Sequence, residues 1–593
     1  MFRRLLWLLP VALLFWNLGY AAFWNPDEGR YVAASYEMAN PFSGASDWLI
    51  PHLNTVPRLN KPPLIYWTIA SSFKAFGASE WSARLVPALA SLLVLVLIGV
   101  WGARCWGNRT GFAAALAWAS GIGVVAMGRT ANTDMLLCAA IALTMFGIFW
   151  ATELDGNKQL VMGAIAGVGM GLALLTKGPV GVALPLLFAF VYLTVSGGWK
   201  RAPWGALGLA IVVALVVGAP WFVLVEAQRP GFLHTFIFEE NLGRFAGKED
   251  YHKTTPITYY LPVVLIGFMP WTGLLLPALG AWNRRNLDER GARQGRAQMF
   301  LLVWALVLVA FFSVSGTKLI SYVLPAFPAF ALLIGVALGR WDILANGWKR
   351  AAIGVNVLLN VALIVALVAL PARGKVSKTW HLKPGVLLDD HIIPRTIGEP
   401  WTWALVALLV VFSAALLWAL RRDGRALLAV EGVGAIAIIG ALLALAGTIA
   451  RYEDATTMIR NLAPHLQPGD RIASYRAFVP AAIPTVKRPL TFFQFDNSSG
   501  LNDADVERSP FYSMPLNDVD FLAWLQQPGR VFIVTNGFTD NSIAPQLHLW
   551  GRTNDQFLLS NQPRPDNLNA ELTFVAPDRL RKHPMVRPPA NAN

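Results

Sequence analysis

Charge is scarce in this chain. Only 14% of its 593 residues are Asp, Glu, Lys or Arg, while 55% are apolar, and the mean hydropathy is +0.48. A water-soluble protein of this length needs more polar surface to cover its core, so a soluble class is excluded. Cysteine is nearly absent. Cys105 and Cys138 lie in or beside apolar runs, far from the polar C-terminal region, which excludes a disulfide framework and a Cys-x-x-Cys metal pattern. There is no glycine-rich phosphate loop or dinucleotide fingerprint, so nucleotide chemistry has no motif to rest on. No internal repeat stands out, whereas an inverted repeat would favour a secondary transporter. His52, His234 and His252 show no close ligand spacing.

What is present is a series of apolar runs near the roughly 20 residues that cross a bilayer as a helix. The pattern predicts a mostly α, polytopic membrane protein with about thirteen spans, near 5–24, 82–104, 112–128, 134–152, 160–176, 178–196, 204–225, 259–281, 298–314, 318–338, 350–371, 401–420 and 426–448. The first run resembles a signal peptide, but Ala21-Ala22-Phe23-Trp24 is a poor cleavage site and a retained helix is expected. The formal charge of +14 could point to nucleic acid. The basic residues lie mainly in short loops between apolar runs, where the positive-inside rule accounts for them. With Arg3 and Arg4 in the cytoplasm, the loops carrying Arg104 and Arg109, Lys200 and Arg201, Arg284 to Arg296, Lys349 and Arg350, and Arg421 to Arg425 all fall inside. The loops 25–81, 129–133, 176–178, 226–258, 315–318 and 372–400 fall outside, and an odd span count puts the tail there too. The expected organisation is a membrane domain over 1–449, with interfacial helices in the 25–81 loop, and a C-terminal α/β domain over 450–593, where short apolar runs alternate with Pro, Asn and Asp. The basic, Pro-rich end from Arg579 is expected to be disordered.

The chemistry concentrates in the outer loops. Directly after the first run stands Trp24-Asn25-Pro26-Asp27-Glu28-Gly29-Arg30-Tyr31, two adjacent carboxylates and a cation at the membrane surface. Tyr31 to Asn40 fits a short interfacial helix. Lys61-Pro62-Pro63 leads into Tyr66-Trp67, and Arg129, Asp134, Lys177, the 234–253 stretch, Lys318 and Tyr322 add further polar groups on the same side. Each has a purely structural alternative. Asp27-Glu28 or Asp134 can cap a helix, Lys61 can snorkel, and Lys177 can sit at a helix C-terminus. Gathered on one face, the cations suit anionic phosphates and a carboxylate suits acid–base work or orientation of a sugar. A lipid transporter would instead line a path through the bilayer with ionisable groups.

These motifs carry a resemblance. Pro26-Asp27-Glu28-Gly29-Arg30-Tyr31, Asp47-Trp48-Leu49-Ile50-Pro51-His52, Asn60-Lys61-Pro62-Pro63 with Tyr66-Trp67, Leu175-Thr176-Lys177-Gly178, Glu240 with Arg244-Phe245 and His252-Lys253, Tyr259-Tyr260 with Pro262, and Phe311-Phe312-Ser313 with Lys318 and Tyr322 occur in order along the membrane region. In this the chain resembles bacterial polyprenyl-phosphate glycosyltransferases of the GT-C type within the protein-mannosyltransferase superfamily, most closely the aminoarabinose transferases that modify lipid A. The resemblance implies a helical GT-C core, two interfacial helices in the first outer loop and a periplasmic C-terminal domain in the bacterial inner membrane. It implies inverting transfer of a sugar from an undecaprenyl-phosphate-linked donor to lipid A or a related acceptor, with membrane lipids but no nucleic acid as partners. Asp27 is then the leading catalytic carboxylate and Asp134 a second one. Lys61, Lys177 and Lys318 would contact phosphate, and Arg30 and Arg244 would brace the site or add cationic contacts. Glu28, Tyr66, Glu240, His252 and Tyr322 complete the substrate-binding set. The family often carries glutamate where Asn60 stands here. A metal held by that glutamate and the histidine at 252 would lose its charged ligand, so no metal cofactor is expected to be required. A protein hydroxyl as acceptor, as in protein O-mannosyltransferases, is the alternative.

Overall fold

The computed structural model describes residues 5–42, 44, 46–243, 245, 256–280, 289–369, 400–453, 455–493, 505–506, 509–513, 519–536, 547–553, 556–565, 568 and 571–573. Arg244, His252, the predicted outer loop 372–400 except for Pro400, and the end from Arg579 lie outside the described residues. The chain forms two compact units, one of Met1–Leu18 with Arg84–Leu442 and one of Gly19–Ala83 with Leu443–Asn593.

The first unit is helical. Among the described residues eight helices are long and apolar enough to cross a membrane, or nine if the bent pair Ile257–Gly267 and Thr272–Ala278 counts as one span. Val180–Ser196 and Trp403–Ala419 are apolar but shorter. Helix occurs in each of the thirteen predicted ranges, not always unbroken. The first range, expected over 5–24, has the helix Leu8–Phe15, which does not run on to Trp24. Asn17 then takes a left-handed conformation with φ 56°, which asparagine tolerates better than most residues.

Small residues let two helices pack closely. Gly163, Gly167 and Gly171 recur every four residues along Gly156–Lys177, opposite Ala206, Ala210 and Ala214 of Trp204–Gln228. A Cβ at Gly163 would stand 2.4 Å from the Ala206 carbonyl, and one at Gly167 2.5 Å from that of Ala210. With lipid on the outside there is little hydrophobic gain in helix association, so such backbone approach supplies the contact. The aliphatic residues on the other face of Trp204–Gln228, among them Val212, Leu215, Val216 and Val223, are exposed, as a lipid-facing surface requires. At the 113° bend between Gly267 and Thr272, backbone groups freed from the helix need partners. Asn356 Oδ1 accepts from Gly273 N at 2.6 Å, and Asn356 Nδ2 donates to the buried Glu431 at 2.8 Å.

The second unit holds the Asp27–Ala39 and Leu64–Phe76 helices, a tight hairpin of β1 (His52–Leu53) and β2 (Val56–Pro57), and a six-stranded sheet. The sheet comprises β3 (Arg471–Tyr475), β4 (Thr491–Phe493), β5 (Tyr512–Ser513), β6 (Val531–Thr535), β7 (His548–Arg552) and β8 (Phe557–Ser560), in the order β5-β4-β3-β6-β8-β7. β5, β4, β3 and β6 are parallel, while β8 runs antiparallel to β6 and β7. β6 is buried at all five positions, which its unbroken Val-Phe-Ile-Val-Thr run anticipates for a central strand covered on both faces.

Side chains of the β1–β2 turn bind the C-terminal segment. Asn54 Nδ2 donates to Leu490 O at 2.7 Å, and its Oδ1 accepts from Leu490 N at 2.9 Å. The Tyr512 hydroxyl donates to Leu53 O at 3.0 Å. Asn54 and Thr55 both have positive φ. Glu37 holds that strained turn by accepting from Thr55 N at 3.0 and 3.1 Å. Burial pushes the Glu37 carboxyl up from 4.5 to about 7, against the pull of the Thr55 and Asn54 N–H groups. A carboxyl raised on folding favours the native state while protonated. That stabilisation is whole below the unfolded pKa and is lost as pH climbs through about 7, on the order of 3 kcal/mol in all. Glu37→Gln keeps an acceptor and removes the titration. Thermal unfolding of the full chain at pH 5.5 and pH 8 should show the wild type losing stability at the higher pH and the variant holding it. Equal pH dependence in both would refute this account of Glu37.

Candidate active site

The Asp27 segment sits in the second unit. Two acids in the first turn of Asp27–Ala39 face the positive end of the helix dipole, but their side chains diverge. Glu28 is fully buried, and its Oε2 accepts from Trp24 N at 3.0 Å, reaching back over the helix start as a capping group does. Asp27 is 81% exposed and ion-paired with Arg30, one turn on. Arg30 Nε also donates to Pro26 O at 3.3 Å, so the guanidinium braces Asp27 from the backbone of its own turn. The first acid is available to a ligand, and the second secures the helix.

Around this turn the unit gathers two more motifs. The Tyr31 and Tyr66 rings lie 5.9 Å apart. Arg58, 1% exposed, donates from Nε to the Tyr66 hydroxyl at 3.0 Å and lies 5.9 Å from the centroid of the Tyr31 ring. Burial raises the Tyr66 hydroxyl to about 12 despite Arg58, so it stays protonated at neutral pH. Half-buried Lys61 donates to Asn60 O at 2.9 Å. Arg58 was visible in the sequence only as one of many loop charges. Its burial depends on the hairpin that places it over two tyrosines, and no local pattern signals that.

The first unit holds a separate cluster. Asp134 begins the Thr133–Glu153 helix, where Asn132 Oδ1 accepts from its N–H at 3.0 Å. Its carboxylate is ion-paired with Lys177, both side chains mostly buried. Lys177 ends the Gly156–Lys177 helix, and its ammonium lies 4.5 Å from the centroid of the Tyr322 ring. Gly178 follows at φ 74°, with Phe236 where a Cβ would be, so the tight hairpin the sequence predicts there requires glycine. Phe236 and half-buried Glu240 belong to the π-helix Thr235–Gly243. Buried Lys318 donates to Ser315 O at 2.8 Å, four residues before Tyr322. Each unit therefore presents a carboxylate bound to a cation, with further cations and tyrosines at hand. Among the described residues no group of three or more His, Cys, Asp or Glu is arranged to hold a metal ion.

Comparison with known proteins identifies the family. The family model described as dolichyl-phosphate-mannose-protein mannosyltransferase matches residues 60–223. The undecaprenyl phosphate-α-4-amino-4-deoxy-L-arabinose arabinosyl transferase of Aeromonas hydrophila is 31% identical over 440 residues, covering 70% of this chain and 77% of that protein. The chain belongs to this family of aminoarabinose transferases. A second member, arabinosyl transferase 2 of Pseudomonas fluorescens, is 33% identical over 375 residues, 61% of this chain and 65% of that protein. The crystal structure of ArnT from Cupriavidus metallidurans bound to undecaprenyl phosphate superimposes with a TM-score of 0.77 at 23% identity, covering 96% of this chain and 98% of that one. The chain is thus a glycosyltransferase of GT-C fold and a multi-pass bacterial membrane protein.

Proposed function

We propose that the protein transfers 4-amino-4-deoxy-L-arabinose, or a closely related amino sugar, from undecaprenyl phosphate to a phosphate of lipid A, at the periplasmic face of the bacterial inner membrane. The observation that carries this reading is the long match to transferases whose names state that donor and that sugar. The charge of the inner loops supports a cytoplasmic N-terminus and a periplasmic segment 450–593. In this scheme an acceptor oxygen attacks the anomeric carbon, the bond from that carbon to the undecaprenyl phosphate oxygen breaks, and the configuration inverts. A phosphate acceptor is already anionic, so Asp27 orients the sugar and pairs with its amino group. A hydroxyl acceptor would instead need Asp27 as general base. Asp134 is the second carboxylate. Lys61, Lys177 and Lys318 stabilise charge on the donor or acceptor phosphate and on the leaving lipid phosphate, with Arg30 and Arg244 as further cations. Tyr66, Glu240, His252 and Tyr322 shape the substrate site, while Glu28, assigned to it from the sequence, is buried and secures the Asp27 helix. No metal is required, since Asn60 offers only a neutral amide oxygen beside Lys61.

The match of residues 60–223 to the mannosyltransferase model favours a second reading, with a protein hydroxyl as acceptor. Mass spectrometry of lipid A and of periplasmic proteins, with and without the gene, separates the two. Loss of an amino-sugar increment from lipid A is expected on deletion. Unchanged lipid A with lost protein glycans would replace the proposal by the second reading.

A further inference from the structure

Asp27 is exposed, so burial does not hold its carboxylate in place. The Arg30 pair ties it to its own helical turn. The backbone of that turn is fixed from another part of the chain. Asn25, two residues before Asp27, uses both ends of its amide on the C-terminal segment. Its Oδ1 accepts from Ala481 N at 3.0 Å, and its Nδ2 donates to the Thr456 hydroxyl at 2.9 Å. Thr456 and Ala481 are both fully buried, so the two anchors are set in the packed interior. Gly29, on the next turn, lies against the same place. A Cβ there would stand 2.5 Å from Asn25 Oδ1 and 2.8 Å from Ala481 N. Any side chain at position 29 would push the Pro480–Ala482 turn off the Asp27 helix. Trp24, immediately before Asn25, is tied in turn to Glu28. The segment from Trp24 to Gly29 is therefore held at its start, its middle and its far face, and two of those holds come from the C-terminal segment.

We infer that Asn25 is a positioning residue for Asp27, through which Thr456 and Ala481 of the C-terminal segment set the place of the reacting carboxylate. The inference rests on the assignment of Asp27 under the proposed function. It gives the C-terminal segment a part in the transfer itself. An Asn fits the position because its planar amide offers an acceptor and a donor at once to two fixed partners.

The test is a cycle of full-length variants, assayed with the lipid-linked sugar donor and an isolated lipid acceptor, with folding followed by thermal unfolding and size-exclusion chromatography. Small displacement of a reacting group lowers rates by about 100-fold. Asn25→Ala should therefore lower kcat by about 30- to 100-fold while the KM for donor stays within about threefold. Asn25→Asp keeps the acceptor for Ala481 N and loses the donor to Thr456, and should fall between. Gly29→Ala should lower kcat in the same direction. In an Asp27→Asn background, Asn25→Ala should have no further effect, because the group it positions is already lost. If Asn25→Ala does not yield folded protein, Thr456→Val removes one of the two anchors and must lower kcat by itself. Wild-type kcat in the folded Asn25 and Thr456 variants, with Asp27→Asn inactive, overturns the inference. So does an equal fractional loss from Asn25→Ala with and without Asp27. Full activity of Asp27→Asn removes the catalytic assignment itself, a separate and recognisable failure that takes the inference with it.

Discussion

Asp27→Asn is expected to lower the rate of sugar transfer by about 1,000-fold or more and to leave the protein as stable as the wild type. The expectation rests on geometry. Asp27 is 81% exposed at the start of its helix and pairs with Arg30 across one turn. An exposed ion pair of this kind contributes about 0–1 kcal/mol, so its loss barely registers in unfolding. The chemistry loses far more. Asparagine keeps the shape and a hydrogen-bonding oxygen but removes the charge that would pair with an amino sugar or take a proton. Glu28 supplies the control at the neighbouring position. Its carboxylate is buried and turned back to Trp24 N. Glu28→Ala should therefore destabilise by about 1–2 kcal/mol, as loss of a helix cap does, with a smaller loss of rate in what remains folded. The measurements are the transfer rate in membranes and the thermal midpoint of the purified chain. Asp27→Asn with the wild-type rate would remove Asp27 from the chemistry.

That contrast between neighbours also shows how far the sequence could be followed. Asp27 and Glu28 stand about 100° apart around a helix, so their side chains leave it in different directions. The sequence shows the pair and its place beside an apolar run. Which member is exposed depends on the packing of Asp27–Ala39, including the contact of Gly29 with Ala481. The apolar runs placed helices well because each span must satisfy its own backbone, a local demand that composition reveals. The first span ended early because Asn17 and the turn after it lead into the other unit. Long-range association was hidden. Nothing local says that residues 19–83 pack with residues beyond 443, or that Asn54 closes on Leu490 across the sequence. Asp134 and Lys177 had a plain reading apiece, as a cap and as a cation at a helix end. Lys177 does end its helix, but Asn132 supplies the cap beside Asp134, whose carboxylate pairs with Lys177 instead.

Lys177→Met carries the largest expected effect on stability together with a large one on rate, and a second substitution separates the two. Lys177 and Asp134 are paired with side chains only 14% and 11% exposed, and Lys177 also sits 4.5 Å from the centroid of the Tyr322 ring. Removing the lysine leaves the Asp134 carboxylate buried without its cation, a change that destabilises by about 3–5 kcal/mol because the remaining charge is uncompensated. Adding Asp134→Asn neutralises that charge. The double variant should recover most of the lost stability, since a buried pair contributes little net once both charges are gone. Its transfer rate should not recover. An ammonium that stabilises charge on a phosphate acts on the reaction whether or not the fold tolerates its absence, and its removal lowers rates by about 100- to 1,000-fold. Thermal unfolding and the transfer rate of the single and double variants decide the matter. If rate returns together with stability in the double variant, the pair serves the fold alone and Lys177 does not touch phosphate. If stability returns and rate does not, the same two side chains hold the helix ends together and act on the substrate. The pair would then have two roles, explaining why an ion pair sits in a place where a membrane helix could end with an apolar residue.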